Sequence, residues 1–239
     1  MRTVIGMAII GGLALVTPSW GTTLDLTTAG ASGSINGTTF TQTTNPPTGS
    51  GVIGSFLRIQ NNETEQGYNT GGGTPLDDKG GISLNGGDIS ISTFQGTPSV
   101  LLDLNQVGSG SNTQITLTSL QVYVSPTHNQ TTTAVSTLGT KVYDLGTGNS
   151  VLMDAALNSG SGTGDVIIAF PSTIFNGFPT SDAVYLYAAF SNSNDGFEEF
   201  AIIQGSGGGG GEPGVPEPAS LALLPLAGAA LLFRMRVRL

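Results

Sequence analysis

Ala183-Val184-Tyr185-Leu186-Tyr187-Ala188-Ala189-Phe190 is the stretch that decides the fold. Val184, Leu186, Ala188 and Phe190 recur at every second position, with Tyr185 and Tyr187 between them. A period of two puts the first set on one face of a pleated strand and the tyrosines on the other. Working outward, Asp165–Phe170 places Val166, Ile168 and Phe170 on one face before Pro171 ends the run. Ile115 and Leu117 alternate, and Leu120, Val122 and Val124 continue one residue out of phase. The slip near Ser119 predicts a β-bulge inside one long strand. Asp88–Phe94 alternates Ile89 and Ile91 with Ser90 and Ser92 and reads as a further strand. Shorter candidates are Val52–Gln60, Val100–Leu104, Lys141–Leu145, Val151–Leu157 and Phe200–Gln204. For Val151–Leu157 a short helix is the alternative, since Leu, Met and Ala favour one.

Turn signals separate these segments: Asn85-Gly86-Gly87, Gly108-Ser109-Gly110, Gly146-Thr147-Gly148-Asn149 and Asp195-Gly196. About nine strands without a convincing helix predict an all-β domain, an antiparallel β-sandwich of jelly-roll type. No repeat of fixed period points to a solenoid or propeller. Thr22–Gly51 reads as an irregular or edge region, because Asn45-Pro46-Pro47 does not suit a central strand.

Composition supports the same class. Charged residues are only 10% of the chain, against about 25% in an average soluble domain. Thr, Ser, Asn and 37 glycines take their place, which suits pleated strands and tight turns better than surface helices. The formal charge is -9. From Asp25 to Glu199 there are 14 carboxylates against Arg58, Lys79 and Lys141, a balance of -11 with no basic patch. A nucleic-acid partner is excluded for this domain, since phosphate binding needs clustered cations. Cysteine is absent, which removes disulfides, thiolate zinc sites and thiol nucleophiles.

The two ends read as addresses. Arg2 precedes Val4–Val16, 13 apolar or glycine residues, followed by Pro18 and then Ser19-Trp20-Gly21. That order predicts a signal peptide over residues 1–21 with cleavage after Gly21, because the run is too short to span a bilayer. At the other end, a Gly/Ser tract over residues 205–215 reads as a linker after a domain of residues 22–204. Pro216-Glu217-Pro218 follows, then apolar Ala219–Phe233, then Arg234, Arg236 and Arg238. Fifteen helical residues reach about 22 Å, short of a ~30 Å hydrocarbon core, so a transmembrane helix over 219–233 is a marginal one. The trailing arginines orient it with its C-terminus in the cytoplasm.

The triplet, the short apolar helix and the terminal arginine cluster resemble the PEP-CTERM family of sorting signals. The resemblance covers residues 216–239. It implies export by signal peptidase, transient retention in the inner membrane, and cleavage near the triplet by the membrane peptidase exosortase. It further implies a diderm bacterium that makes exopolysaccharide, and a destination at the cell surface or in the extracellular matrix. An ordinary single-pass anchor is the plain alternative for the tail.

Within the domain few residues carry a chemical pattern. His128 is the only histidine and sits in Ser125-Pro126-Thr127-His128-Asn129-Gln130, which reads as an exposed loop. No Gly-x-Ser-x-Gly elbow is present. Asp77-Asp78 and Asn194-Asp195-Gly196-Phe197-Glu198-Glu199 offer oxygen ligands for calcium, without the spacing of a calcium loop; solvated loop carboxylates are the plainer reading. Glu198 and Glu199 are adjacent and point to opposite faces of a strand, so they do not form a glycosidase pair. Leu57–Thr70 is dense in amides and acids and reads as a polar loop in which Arg58 and Tyr68 suit a sugar. The alternative is a self-satisfied segment with Arg58 paired to a carboxylate. Tyr185 and Tyr187 are a second aromatic candidate, or sheet packing.

Three functions compete on this reading. The first is a non-enzymatic surface or matrix protein, structural or adhesive. The second is a carbohydrate-binding module acting on exopolysaccharide, and the third, with least support, is a polysaccharide hydrolase.

Overall fold

The computed structural model describes residues 21–43, 54–82, 84–94, 96, 98–106, 108, 110–158, 164–194 and 196–203. The chain divides into two compact units, residues 1–205 and 206–239, and all described residues belong to the first. Twelve strands follow in order: β1 Thr23–Asp25, β2 Ser32–Ile35, β3 Thr38–Gln42, β4 Ser55–Ile59, β5 Asn62–Tyr68 and β6 Ser99–Leu104. Then come β7 Gln114–Ser125, β8 Thr140–Asp144, β9 Ser150–Asp154, β10 Val166–Ala169, β11 Ala183–Asn194 and β12 Glu198–Ile202. The only helical pieces among the described residues are single turns such as Leu84–Gly87 and Ala155–Asn158. None is long and apolar enough to cross a membrane.

The strands form two six-stranded sheets. Sheet 1 runs β1-β9-β7-β11-β5, with β8 also paired to β7; sheet 2 runs β2-β3-β10-β6-β12-β4. All pairings are antiparallel except β1 with β9, where Thr23 lies beside Ser150 in parallel register. The two sheets enclose a common core. Phe40, Phe56, Leu57, Leu102, Phe200 and Ile168 from sheet 2 meet Ile115, Leu117, Leu120, Leu186 and Phe190 from sheet 1, all buried. Each such side chain contributes about 1.5–3 kcal/mol by leaving water. Phe190 and Phe200 reach across the interface with ring centroids 6.2 Å apart.

The deciding stretch forms the N-terminal part of β11, between β7 and β5. Val184, Leu186, Ala188 and Phe190 enter the main core, while Tyr185 and Tyr187 pack on the opposite face. The long strand from Gln114 also appears, with its slip. Ser119 pairs with Ala189 and Leu117 with Phe190, so Thr118 is the extra residue of a bulge. Val151–Leu157 divides between both readings, a strand to Asp154 and then a 3-10 turn.

Two segments depart from expectation, and residues 22–43 do so only in part, since edge strands were expected there. Asp88–Phe94 is not a strand: Ile91–Thr93 is a 3-10 turn and only Ser90 makes a bridge, to Ala183. Ser90 N donates to Thr93 Oγ1 and the Ser90 and Ser92 hydroxyls bond one another, local partners that compete with a ladder. Residues 22–43 hold three strands, two of them the edges of their sheets. The β2–β3 hairpin turns at Asn36 and Gly37, both with positive φ, the requirement of a type I′ turn. Leu57–Thr70 is no loop but the end of β4 and all of β5, which sit in different sheets.

Candidate functional site

The step from β4 to β5 makes a seam between the sheets, and residues 77–79 close it. Gln60 N donates to Asp77 O from the β4 side, while Asp77 N donates to Gln66 O of β5. Lys79 N donates to Arg58 O. Gly67 faces this segment at close range; a Cβ there would lie 3.2 Å from Ile59 Cγ1 and 3.3 Å from Asp78 N. The Asp77 carboxylate accepts from Asn61 Nδ2 at 3.0 Å and Gln66 N at 2.9 Å. Buried Asp78 accepts from Gly80 N, and burial pushes its carboxyl up to about 6. Asp77 and Asp78, read as solvated loop carboxylates with calcium as the alternative, instead stitch the seam.

Behind the seam two glutamates meet. Glu65 of β5 is 2% exposed and Glu198 of β12 is 0% exposed. Asn61 N donates to Glu65 Oε2, and Gln106 Nε2 donates to Glu198 Oε1. Glu65 Oε1 and Glu198 Oε2 are left without an amide or hydroxyl partner among the described residues. The two carboxyls bond each other, which requires a shared proton. Burial raises both above the ordinary range, and the hydrogen bond and charge of Glu65 drive Glu198 further, so the pair holds one proton between them. Glu199 points to the other face. It pairs with Arg58 Nε at 3.2 Å, and the Arg58 guanidinium lies 4.4 Å from the centre of the Phe197 ring. Burial still raises Glu199, outweighing the cation. Two more buried acids lie at sheet 2, Asp103 of β6 and Asp165; the Asp165 Oδ2 accepts from Leu104 N, and burial pushes its carboxyl up to about 8.

On the outer face of sheet 1, residues 126–139 lie as a strap over Tyr68, Tyr123 and Tyr185, with Leu138 as its apolar plug. The Tyr68 hydroxyl donates to Thr132 O at 2.8 Å and Gln130 O at 3.2 Å; the Tyr185 hydroxyl donates to Thr127 O at 2.7 Å. Tyr68 and Tyr185 meet edge to face at 5.8 Å. His128 pins the strap's start through Asp88 Oδ1 at 2.8 Å and Ser181 O at 2.9 Å. The hydrogen bond to Asp88 raises its imidazole above the ordinary value, followed by that to Ser181. It is an exposed loop histidine, as read, but a fastened one.

Beyond the strap the same face opens into a cleft of about 450 Å³ at the β5–β11–β7 junction. Thr64, Gln66 and Asp77 form one wall, Ala189 and Ser191 the floor, and Thr118 the far side. The backbone is irregular all around it. Thr118 is the β7 bulge, Asn192 is a second extra residue in β11, and Asn192 and Glu63 take φ of 64° and 69°. Bulges re-aim side chains and gather beside functional sites.

Of the residues singled out in the sequence, Arg58, Asp77, Asp78 and Glu198 converge on the seam, together with Glu65. Tyr68 is fully buried, so its ring is core packing and not a stacking platform. Tyr185 packs likewise, while Tyr187 stays half-exposed and donates its hydroxyl to Gln66 Oε1 at 2.7 Å. Asp195, the linker, the motif Pro216-Glu217-Pro218, the arginines 234, 236 and 238, and residues 1–20 lie outside the described residues. Gly21 is the first described residue, and Thr22 N donates to Asn149 Oδ1 at 2.8 Å. Among the described residues no group of three or more His, Asp or Glu side chains is placed to hold a metal ion. Thr118 and Ser191 were missed, with the phase slip at Ser119 the one signal for Thr118; Thr64 and Gln66 lie within the Leu57–Thr70 segment singled out for its polar side chains. No family model, no curated protein and no solved structure matches this chain.

Proposed function

We propose that this chain is an exported, non-enzymatic cell-surface or extracellular-matrix protein, retained at the membrane by residues 216–239 until it is processed there. The observation that carries the reading is the order of the tail: Gly/Ser tract, Pro216-Glu217-Pro218, apolar 219–233, then three arginines. A segment of that length enters a bilayer marginally, and arginines behind it resist translocation. It suits a transient stop better than a permanent anchor, which is the role the PEP-CTERM resemblance implies, with exosortase as the processing partner. Two features of the domain support export. Its core is built without cysteine, and a chain beginning at Thr22 keeps β1 whole, with Thr22 O accepting from Ser150 N. We read the sandwich as jelly-roll-like, because consecutive strands from β4 to β7 and from β9 to β12 alternate between the sheets.

The test is fractionation in a diderm host lacking exosortase. The full chain should sediment with carbonate-washed inner membranes, and a chain ending at Val215 should be released to the periplasm. Equal release of both would remove the basis of the proposal.

A further inference from the structure

The cleft on the outer face of sheet 1 carries an inference that the tail does not. Its volume of about 450 Å³ lies in the usual range of small-ligand sites, about 300–1,000 Å³. Its lining mixes hydroxyl, amide and carboxylate groups with the apolar Ala189 and Phe190. The Asp77 carboxylate is held in place by Asn61 and by the Gln66 backbone, so it is a pre-set acceptor. One end of the Gln66 amide is occupied by the Tyr187 hydroxyl, and the other has no partner among the described residues. Thr64 and Ser191, directly opposite in register, add two hydroxyls. Glu65 lies beneath the cleft with its carboxyl turned inward to Glu198, so the acid that faces a ligand is Asp77. Tyr187, two residues from Ala189 on the same face, is partly buried against the strap cluster and fixes the Gln66 amide beside the cleft through its hydroxyl.

We propose that this cleft binds a neutral glycan, engaging one or two sugar rings of a hexose or pentose polymer. Vicinal hydroxyls donate to fixed carboxylate oxygens and accept from amides and hydroxyls, and the apolar ring face of a sugar lies against Ala189. No arginine or lysine lines the cleft, while the Asp77 carboxylate does, so uronates and phosphorylated sugars are repelled. An extended peptide is a poor fit, because the Gln66 carbonyl at the open edge of β5 is already taken by Asp77 N. The site differs from the Arg58/Tyr68 candidate, whose tyrosine is inaccessible.

The experiment is affinity electrophoresis of the full chain in a polyoxyethylene detergent, which carries no sugar headgroup. The native gels contain dextran, glucomannan, galactomannan or xylan as neutral probes, and alginate as the acidic one. At least one neutral polymer should retard the protein. Ala189→Arg, which fills the floor of the cleft, should abolish retardation, and Gln66→Ala should weaken binding about tenfold. If Ala189→Arg does not fold, Ser191→Ala provides the second lesion, with weaker retardation expected. Retardation by none of the neutral polymers, retardation by alginate alone, or retardation unchanged in folded cleft variants would overturn the proposal. The gel reads the domain and fractionation reads the tail, so either reading can fail without the other.

Discussion

Tyr68 shows how far a single side chain can mislead when taken from sequence. In Gln66-Gly67-Tyr68-Asn69 it stands among polar residues, the setting of an exposed aromatic. In the structure its ring is 0% exposed, because the strap of residues 126–139 folds back over it, bringing in Thr132 from 64 residues away. Its hydroxyl is the strap's fastening, donating to two carbonyls. Tyr68→Phe keeps the packing and removes those bonds, at a cost of about 1 kcal/mol. Thermal unfolding should show a Tm a few degrees lower, with hydrogen exchange accelerated at residues 130–138 and unchanged in β10. An unaltered exchange pattern would mean the strap is held by packing alone.

Strands with alternating apolar residues on a β-branched background were legible: β6, β7, β10 and β11 all lie where period-two reading puts them. The bulge at Thr118 was legible too, since a skipped phase is the one mark a bulge leaves in sequence. β5 was not. As an edge strand it exposes Asn62, Glu63, Thr64 and Gln66, and its inward position is the carboxyl of Glu65, so no apolar alternation exists to find. The site at the seam shares that cause, because its partners come from β5, β12 and residues 77–79, distant in sequence. Glu65 and Glu198 clasp sheet 1 to sheet 2 through one proton, facing Asp77 and Lys79 on one side and Asp103 and Gln106 on the other.

The folded protein holds that proton more tightly than the unfolded chain, since both carboxyls are raised. Its stabilisation is therefore complete below the ordinary carboxyl range and is lost as pH rises through the raised values. Asp78 at about 6 and Asp165 at about 8 act in the same direction, so their share of the loss runs from the ordinary carboxyl range up to about pH 8. Glu198→Gln donates to Glu65 without needing a proton. It should leave the Tm at pH 5 nearly unchanged and raise it at pH 9, flattening the profile. Parallel profiles for the two proteins would show that the clasp does not titrate in this range.

For the molecule as a whole, charge is segregated in a way the fold does not need. The domain carries -11, while four of the seven cations sit at positions 2, 234, 236 and 238. On the proposed reading, an acidic domain ahead of a short apolar segment with arginines behind it would sit with the domain outward and the arginines inward. A neutral-sugar cleft on such a domain, turned toward exopolysaccharide, would give the address a purpose. The most direct measurement is mass spectrometry of the mature chain's two ends, isolated from a diderm host that carries exosortase. The account predicts an N-terminus at Thr22, within a few residues, and a C-terminus close to Pro216-Glu217-Pro218, with the segment from Ala219 to Leu239 gone. Recovery of chains that begin at Met1 and end at Leu239 would contradict it.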